Sequence, residues 1–282
     1  TQLLKNVVLK IPTKPEQSII ATILTTIDQA IEQTEQLIVK YERIKTGLMQ
    51  DLLTRGIDEV GNIRSEETHS FKDSPLGRIP KEWEVGNVKD YLSYISYGFT
   101  NPMPTTEIGP VMISATNIFE GKIQYETCRL TSQKDFDTIL TPKSKPKIGD
   151  VLMTKDGTLG RLAIADRENI CITQSVAIMR TRTEKIDTQF FKVLLESPKY
   201  QKVIFDESGG STIKHVYITK LAKMQIALPQ TVNEQVRILE FLSMITGSID
   251  ELYKQLGNHK SAKTGLMQDL LTGKVRVDNL LK

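Results

Sequence analysis

The 282-residue chain has only two cysteines, Cys128 and Cys171, and three histidines, His69, His215 and His259. The cysteines have no CxxC spacing and no third or fourth partner, which argues against a disulfide framework or a thiolate zinc site. The histidines fall in three separate regions without an i, i+4 partner or the nearby cysteine and acidic spacing of a metal site, so no metal is expected. No segment approaches the roughly 20 apolar residues of a membrane helix, and the N-terminus lacks the basic and apolar regions of a signal peptide. The expected setting is therefore a reducing cytoplasm, with no membrane. Catalytic signatures are missing too. No GxSxG elbow is present, and Gly157-Thr158-Leu159-Gly160 lacks the Gly-Lys-Ser/Thr of a phosphate-binding loop, so it is expected to be a β-turn. Asn101-Pro102-Met103-Pro104 departs from the Asn-Pro-Pro-aromatic motif of amino-methyltransferases, and no FxGxG accompanies it. Neither a catalytic residue nor a cofactor site is expected in this chain.

What the chain does have is a letter-for-letter repeat. Lys45-Thr46-Gly47-Leu48-Met49-Gln50-Asp51-Leu52-Leu53-Thr54 recurs as Lys263-Thr264-Gly265-Leu266-Met267-Gln268-Asp269-Leu270-Leu271-Thr272, at an offset of 218 residues (Lys45 to Lys263). Leading into and through the first copy, Ile20, Leu24, Ile27, Ile31, Ile38, Tyr41, Leu48 and Leu52 follow alternating spacings of four and three, with Thr34 and Lys45 filling the gaps. Leading into and through the second, Ile238, Leu242, Ile245, Ile249, Leu252, Leu256, Leu266 and Leu270 hold the same register, with His259 and Lys263 on the seam. This heptad spacing predicts two long helices that bury one stripe against a comparable helix. Thr13-x-x-Glu16 and Thr231-x-x-Glu234 read as capping boxes at their starts, and Gly56 and Gly273 as left-handed caps at their ends. Each helix spans about 40 residues, or roughly 60 Å at 1.5 Å per residue.

Between the helices the pattern changes to short β-branched runs separated by Gly, Pro, Asn and Asp. Val111–Ile113, Gly121–Tyr125, Asp150–Thr154, Leu159–Ala165, Cys171–Thr181 and Lys223–Leu228 read as strands. Phe190–Leu195 with Lys199–Phe205 reads as one helix or two short ones. An α+β or mostly β module of about 150 residues is expected. The net charge of +3 permits nucleic acid as a partner without requiring it.

Several short motifs then appear in a recognisable order. They are Leu76-Gly77-x-Ile79-Pro80-x-x-Trp83, Ile113-Ser114-Ala115-Thr116-Asn117-Ile118 with Gly121-Lys122-Ile123, and Gly149-Asp150-Val151-Leu152 leading to Gly157-x-x-Gly160. Thr173-Gln174-Ser175-Val176-Ala177, Gly209-Gly210-Ser211-Thr212, and Leu228-Pro229 before Glu234-Gln235 complete the set. In this order the chain resembles a specificity (S) subunit of a type I restriction-modification system, across essentially its whole length. The resemblance implies a mixed α/β target-recognition domain flanked by two long antiparallel coiled-coil helices. It also implies that the chain is not itself an enzyme. Methyltransferase (M) subunits would dock on the helices, bind S-adenosylmethionine and methylate adenines, and endonuclease (R) subunits would join the complex. Typical family members carry two recognition domains, each reading half of a split double-stranded DNA target.

On this plan residues 1–12 are the end strand of an absent or partner recognition domain, 13–56 the first long helix and 57–74 a connector. Residues 75–229 form the target-recognition domain, 230–273 the second long helix and 274–282 a tail. Since only one complete recognition domain is present, two alternatives stand. Either the first domain has been lost or left out, or the chain is a half-length subunit that pairs with itself as a homodimer.

A DNA-reading module needs cations for phosphate and short polar side chains for base edges. The candidates are Ser114, Thr116, Asn117, Lys155, Thr158, Arg161, Gln174, Arg180, Ser211, Thr212, Lys214 and His215. Asn117, Gln174 and Ser175 lie within motifs shared across the family, and shared framework residues cannot by themselves encode a target that differs between members, so a purely structural role competes with DNA contact there. The competing functional reading is a non-catalytic scaffold or decoy that binds M subunits without specific DNA readout.

Overall fold

The computed structural model describes residues 11–206, 208 and 214–277, so most of the expected end strand, together with Ser211 and Thr212, lies outside the described residues. The chain opens on α1 (Lys14–Arg55). The strands that follow are β1 (Phe71–Lys72), β2 (Ile79–Pro80), β3 (Trp83–Asn87), β4 (Leu92–Tyr97), β5 (Thr106–Ile113), β6 (Ile118–Phe119) and β7 (Lys122–Ile123). After β8 (Arg129–Leu130) come α2 (Gln133–Ile139), β9 (Val151–Thr154), β10 (Leu162–Ile164), β11 (Ile170–Ile172) and β12 (Val176–Thr181). Helices α3 (Thr188–Glu196), α4 (Pro198–Asp206) and α5 (Ile218–Lys223), strand β13 (Gln225–Pro229) and helix α6 (Val232–Leu271) complete it. Two compact units form: Leu48–Phe241, and the residues up to Gly47 together with those from Leu242 onward.

In the Leu48–Phe241 unit, β10, β9, β12 and β4 make a four-stranded antiparallel sheet in that order, and β11, β5 and β8 a three-stranded one in which β11 and β5 run parallel. Side chains alternate faces along a strand, and one face of each sheet feeds a common core. Ile113 and Ile172, opposite each other in the second sheet, join Leu152 and Ile178, opposite each other in the first, with Ile118, Ala163 and Val176. The expected single strand over Cys171–Thr181 is two strands, because Thr173–Ser175 form a turn in which the Val176 amide donates to Thr173 O (3.0 Å). Helix α2 was not expected. It is capped by Ser132, whose Oγ accepts from the Asp135 amide, and it packs Phe136 against Met112 and Cys171. The expected strand from Lys223 begins at Gln225, after the short helix α5. Strand β13 pairs with β3 and is tied to α4 through Tyr200, whose hydroxyl oxygen accepts from the Ala227 amide at 3.0 Å.

The start of α6 is built into this unit. Thr231 Oγ1 accepts from the Glu234 amide (3.3 Å), one half of the expected capping box. The Glu234 carboxylate does not reach back. It accepts from Arg64 Nη1 (2.5 Å) and Nη2 (3.1 Å), Trp83 Nε1 (3.2 Å) and the Ile57 amide (3.2 Å). The neighbouring Gln235 is fully buried, accepting from the Asp187 amide (2.8 Å) and donating to the carbonyls of Lys185 and Pro229. Gly56, which ends α1, has φ +64 as a left-handed cap requires, and any Cβ there would collide with the Glu234 carboxylate and lie 2.6 Å from Arg64 Nη1 and 2.7 Å from Trp83 Cζ2.

The second unit is the helical pair. Asp28 meets Lys263 (2.5 Å), Thr34 Oγ1 lies 3.4 Å from His259 Nδ1, Glu35 meets Lys260 (2.9 Å), and Glu42 accepts from Tyr253 Oη (2.7 Å). As the number rises along α1 it falls along α6, so the helices run antiparallel here. Leu24 and Ile20 pack with Leu266, Leu270 and Val277. No seam residue of either helix is exposed, including the polar Thr34, Lys45, His259 and Lys263. The stripe is therefore set by the heptad spacing even where the residue is not apolar. No described helix is long and apolar enough to cross a membrane.

Candidate nucleic-acid interface

Four of the expected contact residues converge. Ser114, Thr116, Asn117 and Gln174 line one cleft of about 630 Å³, with Phe99, Asn101, Met103, Met112 and Arg129 among the other lining residues. Its position follows from the backbone. Gly98 sits so close to the Ile172 carbonyl that a Cβ would overlap it, which brings the end of β4 against β11. The Phe99 amide then donates to Ile172 O (3.1 Å) and the Gln174 amide to Phe99 O (2.8 Å), so the loop from Phe99 and the Thr173–Ser175 turn start from one pinned corner.

The floor of the cleft is internally satisfied. Asn117 is buried, its Oδ1 accepting from the Ser114 amide (2.9 Å) and Ser114 Oγ (2.7 Å), and its Nδ2 donating to the Thr127 carbonyl and hydroxyl (both 3.0 Å). Ser175 Oγ accepts from the Ala115 amide and meets Thr173 Oγ1. Asn117 is thus committed to holding the Ser114–Asn117 turn, so the proposed contacts exclude it. Gln174 is exposed at the rim, as are Asn101 and Arg129, which residue type alone did not single out.

The other candidates lie elsewhere. Arg180 makes a two-pronged pair with buried Asp150 (2.7 and 2.8 Å), which raises the pKa of its guanidinium, and it serves the fold where a phosphate contact was expected. Arg161 donates to the Ile118 carbonyl and lies over the Phe119 ring. Lys155 is buried, with Nζ 3.0 Å from Asp156 Oδ2 and 5.3 Å from the Tyr97 ring centre; Asp156 also holds His215, whose ring stands edge-on to Tyr217. This pairing anchors the chain beside exposed Lys214, while Thr158 is exposed in the Gly157 turn. Burial pushes the Cys171 thiol up to about 12 and the Cys128 thiol to about 11, so both stay protonated near neutral pH. Among the described residues no cluster of His, Cys, Asp and Glu is arranged to hold a metal.

A second cleft of the same unit, about 320 Å³, is lined by Glu84, Asp90 and Glu184 against a single cation, Lys185. Three carboxylates there oppose a phosphate backbone, whereas the first cleft has Arg129 and no acidic residue in its lining.

Comparison with known proteins bears on the chain as a whole. Residues 54–259 match the family described as type I restriction modification DNA specificity domain. The type I restriction enzyme MjaVIII specificity subunit of Methanocaldococcus jannaschii is 28% identical over 285 aligned positions, covering 99% of this chain and 64% of that protein. The EcoBI specificity subunit of Escherichia coli is 24% identical over 277 positions, covering 95% of this chain and 57% of that one. In fold, the crystal structure of the HsdS subunit from Thermoanaerobacter tengcongensis matches with a TM-score of 0.62 at 14% identity, over 94% of this chain and 60% of that one. The chain thus spans about three-fifths of the length of the relatives it matches. With the family match covering more than half of the chain, from the end of the first long helix through the inserted domain and into the second long helix, the chain belongs to the type I restriction-modification DNA specificity family.

Proposed function

We propose that this chain is the sequence-specific DNA-recognition component of a type I restriction-modification complex. Its mixed α/β domain reads one half of a bipartite double-stranded target, and its long helices dock the methyltransferase subunits. The observation that carries this is the acid-free cleft, which gathers exposed Gln174, Thr116 and Arg129 on a domain rooted in the start of α6. Chemistry belongs to the partners. The methyltransferase supplies S-adenosylmethionine, and the target adenine must leave the duplex to reach it, because a stacked base is inaccessible to chemistry. The cytoplasm, where the DNA and these partners reside, is the proposed location. A second half-site would be read by a further recognition domain or by a second copy of this chain.

Footprinting of the full chain with purified methyltransferase subunit tests this reading. A protected sequence that depends on this chain and survives moderate salt is the expected result. Methyltransferase binding accompanied only by salt-sensitive, sequence-independent DNA affinity would replace it with the scaffold reading. Lengthening both helices by one turn should also lengthen the unread spacer in the target.

A further inference from the structure

Base-specific contact in the major groove favours side chains that present two hydrogen-bonding groups at once: arginine to guanine O6 and N7, asparagine or glutamine to adenine N6 and N7. Such a side chain reads bases only if its groups are not already used inside the protein. Its backbone must also be held, so that the wrong base cannot be met by a small shift.

Three residues in the acid-free cleft meet the first condition, and Arg129 and Gln174 meet the second as well. Arg129 stands on β8, an edge strand whose backbone is fixed by pairing with β5, with Arg129 opposite Met112. Gln174 is the middle residue of the Thr173–Ser175 turn, held by its amide on Phe99 and by the contact between the flanking hydroxyls. Asn101 follows two residues after Phe99, whose amide and carbonyl are both bonded to that corner. All three side chains are exposed and line the same cleft. Among the described residues, none of the three side chains has a hydrogen bond, ion pair or ring contact. By contrast the other bidentate-capable groups around them, Asn117, Arg161 and Arg180, are bonded within the fold.

We propose that Arg129 and Asn101 are the specificity-determining side chains of this domain, Arg129 reading a guanine and Asn101 an adenine edge, while Gln174, in a motif shared across the family, reads an adenine edge beside them without distinguishing this target from those of its relatives. Phe99, Met103 and Met112 supply the apolar part of the cleft, a surface suited to thymine methyl groups. This assignment rests on the DNA-recognition reading above and names the residues through which it operates.

The test is methylation of a DNA library, randomised over the half-site, by the complex of full chain and methyltransferase subunit. Arg129→Ala should lose the preference for guanine at one position by about 5- to 100-fold while the other positions keep theirs. Arg129→Lys should restore it only in part, since an ammonium lacks the rigid planar fork that matches the two guanine acceptors. Gln174→Ala and Asn101→Ala should each relax one adenine position. A specific wild-type complex whose target is unchanged in all three alanine variants overturns the residue assignment alone. So does an Arg129→Ala variant that methylates more weakly at all sequences while its preference for guanine stays intact, the mark of a phosphate contact. A wild-type complex with no sequence preference overturns the assignment and the recognition reading together. Because all three side chains are exposed, unchanged thermal midpoints are expected and separate loss of reading from loss of folding.

Discussion

The same helix sequence ends, and the same cap sequence begins, in two different surroundings, and the difference locates the work of the recognition domain. Gly56 and Gly273 close the two copies of the repeat with nearly equal φ, +64 and +70. Around Gly56 stand Glu234, Arg64 and Trp83; around Gly273 nothing lies within 4 Å of where a Cβ would be. The matched glutamates diverge likewise. Glu16 completes its own cap, its carboxylate accepting from the Thr13 amide and hydroxyl (both 2.9 Å) and from Arg276 Nε (2.7 Å). Glu234 instead binds groups 151, 170 and 177 residues away in sequence. Gln17 is exposed where its counterpart Gln235 is buried. Local sequence sets the helix and its caps, while the domain inserted next to the second copy converts a cap into a structural hub.

The sharpest way to break the equivalence is to remove the hub. Glu234→Ala leaves the Arg64 guanidinium and the Trp83 indole N–H without their shared acceptor in a poorly hydrated site. A loss of about 3–5 kcal/mol is expected, read from denaturant unfolding of the complete chain. The matched Glu16→Ala, facing the more exposed Arg276, should cost distinctly less. Equal losses would mean that the hub adds nothing to the cap. Next in size is the pair of glycines. Gly56→Ala combines left-handed strain with a collision against three side chains, and is expected to cost about 2–4 kcal/mol, while Gly273→Ala carries the strain alone, about 1–2 kcal/mol. A difference below about 0.5 kcal/mol would count against the steric account.

These contrasts also mark how much was legible in the residues. The helices and their seam were readable because a 3.5-residue period and two capping signals are local, and the repeat gave each a second reading. The recognition domain was readable as an α+β or mostly β module, but the Cys171–Thr181 run concealed a turn whose residues, Thr-Gln-Ser, carry no glycine or proline to announce it. Helix α2 shows only Phe136 as a buried apolar anchor, too little periodicity to detect. Glu234 was legible as a cap and not as a hub, because its partners come from the connector and from β3. Asn101 and Arg129 could not be singled out for the same reason: they come to share a cleft with Gln174 only in the tertiary fold. Asn117 and Arg180, by contrast, had the right chemistry for DNA and are used inside the protein.

A smaller effect is expected from acid. Arg276 and Thr13 hold the Glu16 carboxyl at about 2, below its ordinary 4.5. Because the folded-state pKa is depressed, the stabilisation is present above about pH 4.5 and disappears as pH falls toward 2. Wild type and Glu16→Gln should therefore differ in thermal midpoint at pH 7 and converge near pH 2, with the other carboxylates cancelling in the comparison. A difference that persists undiminished at pH 2 would show that the charge of Glu16 is not what matters.

The smallest expected effect tests the two-fold relation of the helical pair itself. Under the 218-residue offset, the Glu35–Lys260 contact maps onto Tyr253–Glu42, and both contacts are made. The Asp28–Lys263 pair maps onto Thr246–Lys45, and there the acid is missing: Thr246 bonds its own helix at Leu242 O (2.8 Å), and among the described residues Lys45 has no ion-pair partner. If the relation holds in detail, Thr246→Asp supplies Lys45 with the carboxylate that its identical twin already has. Thr and Asp have similar helix propensity, so the substitution isolates the pair, and an ion pair still reached by solvent is worth about 0.2–1 kcal/mol. The gain should vanish in the Thr246→Asp, Lys45→Met double variant and shrink in high salt. A gain that survives removal of Lys45 would have to arise elsewhere on the helix, and the two-fold relation would then describe the sequence repeat without describing its contacts.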